Sequence, residues 1–219
     1  MLRLLFEKKD SAVWISHLDL MRMFQRAFQR AQLPLKHTQG FNPRPSVSIA
    51  LPLSVGIDSA CELLDFTLEG DPVSCTEIRD RLNEKLVAGI RVLEVYENGR
   101  KLRDLALLRC HVVLEYDREL PEDAAAQLQA LFSRESVVVQ KKNKNGIQDQ
   151  DIIPMLRRLQ ISRTDTRVIA MEALVCCQNP TLNPMQLPAA IGVYLPELKP
   201  DFTRVSRQEI YDQNEEIFR

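Results

Sequence analysis

Residues 16–56 read SHLDLMRMFQRAFQRAQLPLKHTQGFNPRPSVSIALPLSVG, a cationic helix running into a stiff glycine/proline loop and then a strand. Leu20, Phe24, Ala27 and Ala31 fall on one stripe at helical spacing, so the spacing predicts a helix over His17–Leu33 with that stripe buried. Ser16 is placed as its N-cap, and Asp19, three residues on, approximates a capping box and favours the positive helix end. Arg22, Arg26 and Arg30 recur every four residues and so step along one face about a turn apart. Immediately beyond stand Lys36, His37 and the loop GFNPRP. Gly40 there accepts positive φ, while Pro43 and Pro45 hold Asn42 and Arg44 extended. Such a loop presents backbone N–H groups and Arg44 at little ordering cost. Phe41 either stacks on an exposed base or plugs the core beneath its loop.

Working outward, Leu2–Ile15 reads as a strand or hairpin. Extended runs pass through Val47, Ile49 and Leu51 and through Leu63–Leu68, a helix spans Val73–Leu86, and a strand spans Ile90–Tyr96. That order, βαββαβ, is the α+β ferredoxin-like arrangement. Two helices cover one face of a four-stranded antiparallel sheet and leave the other for a partner or a second domain. The polar bridge Glu97–Lys101 closes a first domain at 1–98. From 102 to 219 the pattern begins again with a strand over Leu107–Tyr116, a helix over Pro121–Phe132 and a strand over Val137–Lys142. Asn145-Gly146 then signals a turn, Asp151 caps a helix through Leu159, and Val168–Cys177 is a strand. Five prolines between Asn179 and Pro200 allow at most short helical turns. The expectation is two ferredoxin-like domains in tandem, the second divergent and ending in a proline-rich segment.

The net charge of −1 hides an asymmetry: residues 1–50 carry eight basic side chains against three acids, leaving the remainder at −6. A near-neutral chain with one cationic end is suited to holding an anion locally. No apolar run approaches a membrane span, and Glu7–Asp10 interrupt what a signal peptide would continue, so a cytoplasmic protein is expected. The five cysteines are scattered and form no CxxC pair, which argues for buried reduced thiols and against a disulfide framework or metal cluster.

A second basic cluster, Lys141, Lys142 and Lys144, sits at a predicted hairpin tip, and Arg204 and Arg207 lie near the chain's end. Lysines act on phosphate as point charges and arginines as planar forks, so with Arg22, Arg26, Arg30, Lys36, His37 and the loop residues Gly40, Phe41, Asn42 and Arg44 they make RNA the simplest ligand. His17 and His37 stand at opposite ends of the predicted helix, too far apart to share a metal or a proton unless the loop folds back. Glu62 and Asp65 fall on opposite faces of a strand, and no ExxH occurs, so no metal or cofactor is expected.

The opening stretch, with CELLDFTLEG, LNEKLVAGIRVLEV, QKKNKNGIQDQDIIPML and FTRVSRQEIY, resembles the radical SAM-linked proteins. This bacterial family of unestablished function occurs beside, or fused to, radical S-adenosylmethionine enzymes. The chain has Arg44 where that family's GFNPHP motif has histidine, and Thr38 where serine is common. It lacks the CxxxCxxC run that holds the cluster, so the resemblance implies a companion to such an enzyme. A fold-level likeness to the CRISPR-associated repeat-processing endonucleases also exists. The expected function is a non-catalytic RNA-binding accessory protein that works with a radical SAM enzyme, for instance in tRNA or rRNA modification. Two alternatives stay open: an RNA-processing endonuclease with His17 as its candidate catalytic residue, and a pure protein-interaction module.

Overall fold

The computed structural model describes residues 1–143 and 146–219, with the side chains of 142 and 143 left aside. The chain is a mixed α/β protein that divides into two units, Met1–Leu102 with Arg219, and Arg103–Phe218. Among the described residues no helix is long and apolar enough to cross a membrane.

The first unit runs β1 (Leu2–Lys8), α1 (His17–Arg30), β2 (Val47–Ile49), β3 (Asp58–Phe66), α2 (Cys75–Asn83) and β4 (Ile90–Glu97). β1 pairs antiparallel with both β4 and β3, and β2 pairs with β3, giving the order β4-β1-β3-β2. The registers Leu4↔Leu64, Leu4↔Val95 and Val47↔Phe66 place these apolar side chains on one face. There they meet Leu20, Phe24 and Phe28 of α1 and Ile78 and Leu82 of α2 in one core. β2 stops short of Leu51 because Pro52, which has no N–H, follows. The sheet's other face is covered as well. Leu5, Cys61 and Leu63 are buried on it, and Arg3 is only 2% exposed beside Asp65.

The second unit runs β5 (Leu105–Glu115), α3 (Ala124–Phe132), β6 (Val138–Asn143), β7 (Gly146–Asp151), β8 (Leu156–Asp165), β9 (Val168–Cys176), α4 (Gln186–Tyr194) and β10 (Phe202–Asp212). Its main sheet has the order β10-β5-β9-β8, every pairing antiparallel, while β6 and β7 form a separate two-stranded sheet. Leu108, Cys110, Val112, Met171 and Ile210 are buried with Leu128 of α3 and Ile191 of α4.

Three expectations are corrected here. The strand at Val137–Lys142 exists but belongs to the side hairpin, not to the main sheet. The helix over 151–159 is absent. Asp151 does accept from the backbone N–H groups of Val137 and Ile153, at 3.0 and 3.1 Å, yet only a 3-10 turn, Ile153–Met155, follows before the chain becomes β8. Pairings such as Leu159↔Ala173 and Ile161↔Met171 satisfy the backbone there, so tertiary context outweighs local helix preference. α4, finally, forms nine residues of helix inside the proline-rich segment. Pro188 is its third residue, in the first turn where a missing N–H breaks no helical hydrogen bond.

Candidate nucleic-acid interface

α1 is fixed at both ends. Ser16 is its N-cap, its Oγ accepting from the Asp19 N–H at 3.2 Å and donating to Asp19 Oδ2 at 2.7 Å. The Ser16 hydroxyl, and after it the Arg22 guanidinium, hold the Asp19 carboxyl below the usual carboxylate range. At the other end Gln32 takes a positive φ of 55° and the Leu33 N–H reaches the Phe28 carbonyl. Phe24 meets Phe6 edge to face at 4.8 Å, and Phe28 meets Phe66 at 4.9 Å. These contacts set the rotation of α1 and leave Arg22, Arg26 and Arg30 exposed.

The chain then turns into a narrow hairpin. Leu35 bridges Leu68, and the Lys36 N–H bonds the Thr67 carbonyl at 2.8 Å. Ser46 N–H to Lys36 carbonyl (2.7 Å), Thr38 N–H to Arg44 carbonyl (2.8 Å) and Arg44 N–H to Thr38 Oγ1 (3.0 Å) close the base. The hydroxyl that accepts from Arg44 would be supplied equally by serine at position 38. Gly40, at φ 136°, makes the bend at the tip. Phe41 there is 106% exposed, so it does not plug the core. Lys36, His37, Asn42 and Arg44 are exposed as well.

Between the outer face of α1 and the base of this hairpin lies an open cleft of about 620 Å³. Arg22, Arg26, Gln25 and Gln29 line its helical side, with His37 and Pro45 opposite. Leu33, Pro34 and Leu35 line it too, and Glu69 adds one acid. Of the predicted cations, then, Arg22, Arg26 and His37 come together. Arg30 does not join them, because its Nη2 donates to the Lys85 carbonyl just beyond α2 at 2.8 Å. Lys36 and Arg44 are near it in sequence but outside its lining. Arg22 is tied to Asp19 at 3.1 Å, whereas Arg26 has no ion-pair partner among the described residues. His17 is half-buried at the start of α1, away from the cleft lining, with Nδ1 buried and lacking a hydrogen-bond partner.

The cations predicted in the second unit fare differently. Lys141 Nζ donates to the Thr181 carbonyl at 3.4 Å. Arg204 pairs with Glu115, and Arg207 is buried, only 8% exposed, which removes it from any exposed anion surface. Its register partner is Cys110, whose side chain lies in the core. The side chain of Lys142, and Lys144 altogether, lie outside the described residues.

A family model described as an uncharacterized protein conserved in bacteria, DUF2344, matches residues 1–184. The chain belongs to that family. Membership of DUF2344 does not carry the expected link to radical SAM enzymes. No curated protein sequence matches the chain. Among solved structures it is similar to a chain of a Cbf5–Nop10–Gar1 complex, with TM-score 0.55, 9% identity, and coverage of 95% of this chain and 48% of that one. It also matches a chain of the archaeal box H/ACA sRNP Nop10–Cbf5 complex, with TM-score 0.48, 10% identity, and coverage of 94% and 46%. This chain spans about half the length of each, and at 9% identity the first likeness concerns the fold alone.

Sequence reasoning missed the polar and apolar partners of the cleft in this DUF2344 member. Gln25 and Gln29 were legible, being offset by three residues from Arg22 and Arg26 on the same helix face. Pro34 and Glu69 were not, because the bridge between residues 35 and 68 that joins them is long-range. A second cleft, of about 580 Å³, lies on the second unit's sheet and went unforeseen. Its cations are answered internally: Arg158 pairs with Glu215 at 2.6 Å, and Arg109 lies over the Tyr211 ring at 5.9 Å.

Proposed function

We propose that this chain is a non-catalytic RNA-binding protein whose first unit holds the ligand. The carrying observation is the cleft that joins Arg22, Arg26 and His37 beside a hairpin with a fully exposed aromatic tip. Phosphate contacts fix a strand's position, and aromatic stacking adds affinity without demanding a sequence. The strand orders β4-β1-β3-β2 and β10-β5-β9-β8 support reading both units as ferredoxin-like, split near 98–102, with β6–β7 as an insertion in the second. Companionship with a radical SAM enzyme is part of the proposal and rests on the sequence resemblance. Pull-down of the tagged chain from its own cell extract tests it, and recovery of the chain alone would remove it.

The RNA reading is tested by the salt dependence of binding. Arg22, Arg26, Lys36 and Arg44 are the exposed cations around the cleft, and about four phosphate contacts give a log–log slope near −3 for a single strand. Each Arg→Ala at 22, 26 or 44 is expected to reduce its magnitude by about 0.7, and Arg30→Ala to leave it unchanged. Binding indifferent to salt would overturn the reading.

A further inference from the structure

We infer that the form of RNA taken by the first unit is an unpaired strand, with one base on Phe41 and a neighbouring nucleotide in the α1 cleft. This rests on the RNA reading above. In a duplex the faces of the bases are covered by their neighbours, and what a helix offers a protein is phosphate, sugar and groove edges. A phenylalanine ring has no hydrogen bond to give to any of these. Phe41 is nonetheless the most exposed large apolar side chain of the first unit's binding side, at 106%, on a hairpin pinned at its base by three hydrogen bonds. A ring held out in this way is suited to the π-face of an unstacked base.

The cleft has the same two-sided chemistry. One wall carries Arg22 and Arg26 with the side-chain amides of Gln25 and Gln29, each amide offering both donors and an acceptor. The other side is largely apolar, with Pro34 and Pro45 reaching the surface beside His37 and the single acid Glu69. A nucleotide matches that division, since its phosphate is anionic, its base edges hydrogen-bond and its base face is apolar. A volume of about 620 Å³ is within the range of small-ligand sites, roughly 300–1,000 Å³, and admits a nucleotide but not a helix. Charge alone would serve a duplex equally well; the apolar wall and the bare ring would not.

The test compares a labelled oligouridine of about twelve nucleotides with a duplex of equal length by fluorescence anisotropy. The variants are Phe41→Ala, Phe41→Trp and Arg26→Ala. Because Phe41 makes no core contact, its substitutions leave the circular dichroism spectrum and the urea midpoint unchanged. The expected result is at least about tenfold tighter binding of the single strand. Phe41→Ala lowers that affinity about tenfold without altering duplex binding, Phe41→Trp retains it, and Arg26→Ala weakens both forms. If duplex and single strand bind equally, or Phe41→Ala is neutral while Arg26→Ala still weakens binding, this inference fails and the RNA reading survives. If neither form binds, both fail.

Discussion

Arg3 carries a full charge in one of the least accessible places of the first unit. Its Nε and Nη2 donate to Asp65 Oδ1 and Oδ2 at 2.5 and 3.0 Å, and Nη1 donates to the Arg100 carbonyl at 2.8 Å. Burial alone would lower its pKa; the paired carboxylate of Asp65 outweighs that and raises it. Gly99 leaves the room, since a Cβ there would stand 2.9 Å from Nη1. Removing one partner of such a pair strands the other charge in the core. Asp65→Ala is therefore expected to destabilise the first unit by about 3–5 kcal/mol, read as a fall in the urea midpoint. A loss of less than about 1 kcal/mol in Asp65→Ala would show that the pair is solvated.

The same residue shows what charge counting conceals. Arg3 and Lys8 contribute to the basic excess of residues 1–50, yet Lys8 is 1% exposed, with Nζ donating to the Val13 and Ile15 carbonyls. Lys9 pairs with Glu7 at 2.6 Å, and Arg30 is held by the Lys85 carbonyl. Among the described residues of this stretch, Arg26, Lys36 and Arg44 remain without an ion pair, and Arg22 faces an anion with Asp19 already beside it. A sequence reveals which side chains are cationic; their partners come from residues such as Asp65, which is adjacent only through the β1–β3 register.

At the scale of elements, α1 is the most legible part of the chain because a period of 3.6 residues and a capping serine agree. Leu20, Phe24 and Ala27 are all buried as the stripe predicts. Phe24 is fully buried and packed against Phe6, so Phe24→Ala is expected to lower stability by about 3–5 kcal/mol, whereas Ser16→Ala lowers it by about 1. Equilibrium denaturation of the two variants checks the ratio; equal effects would mean that packing does not dominate this helix. β8 and β10 were less legible. β8 is rich in arginine and follows an aspartate able to cap a helix. In β10, TRVSRQEI alternates polar and apolar residues only until the register shifts between Arg207 and Glu209. β10 depends on β5, far away in sequence, whereas β8 pairs with β9 across the tight turn at 166–167.

For the molecule as a whole, stability is tied to pH through the thiols of the second unit. Burial pushes the Cys110 thiol up to about 12, Glu172 adding to it, and burial does the same to Cys177. An unfolded thiol ionises from about pH 8.5, while these two stay protonated when folded. The unfolded state then binds fewer protons than the folded one, so stability falls as pH rises above about 8.5 and levels near 12. Urea midpoints are expected to be level from pH 7 to 8 and to drop by pH 10. The double variant Cys110→Ala, Cys177→Ala is expected to drop less over the same interval. A decline of equal steepness in that variant would assign it to other groups.

The pinned base of the 36–46 hairpin has a consequence in time. A loop that must first find its shape passes that delay on to every encounter, and its association rate then reports the loop rather than the meeting of charges. Two backbone hydrogen bonds, across Lys36–Ser46 and Thr38–Arg44, and a third from the Arg44 N–H to the Thr38 hydroxyl remove that step. What remains is diffusion guided by the cations beside it, so added salt slows arrival. How long a strand then stays is set by the short-range contacts of the ring and the cleft. Arrival and residence can thus be altered independently, the first at Arg44, outside the cleft lining, and the second at Phe41.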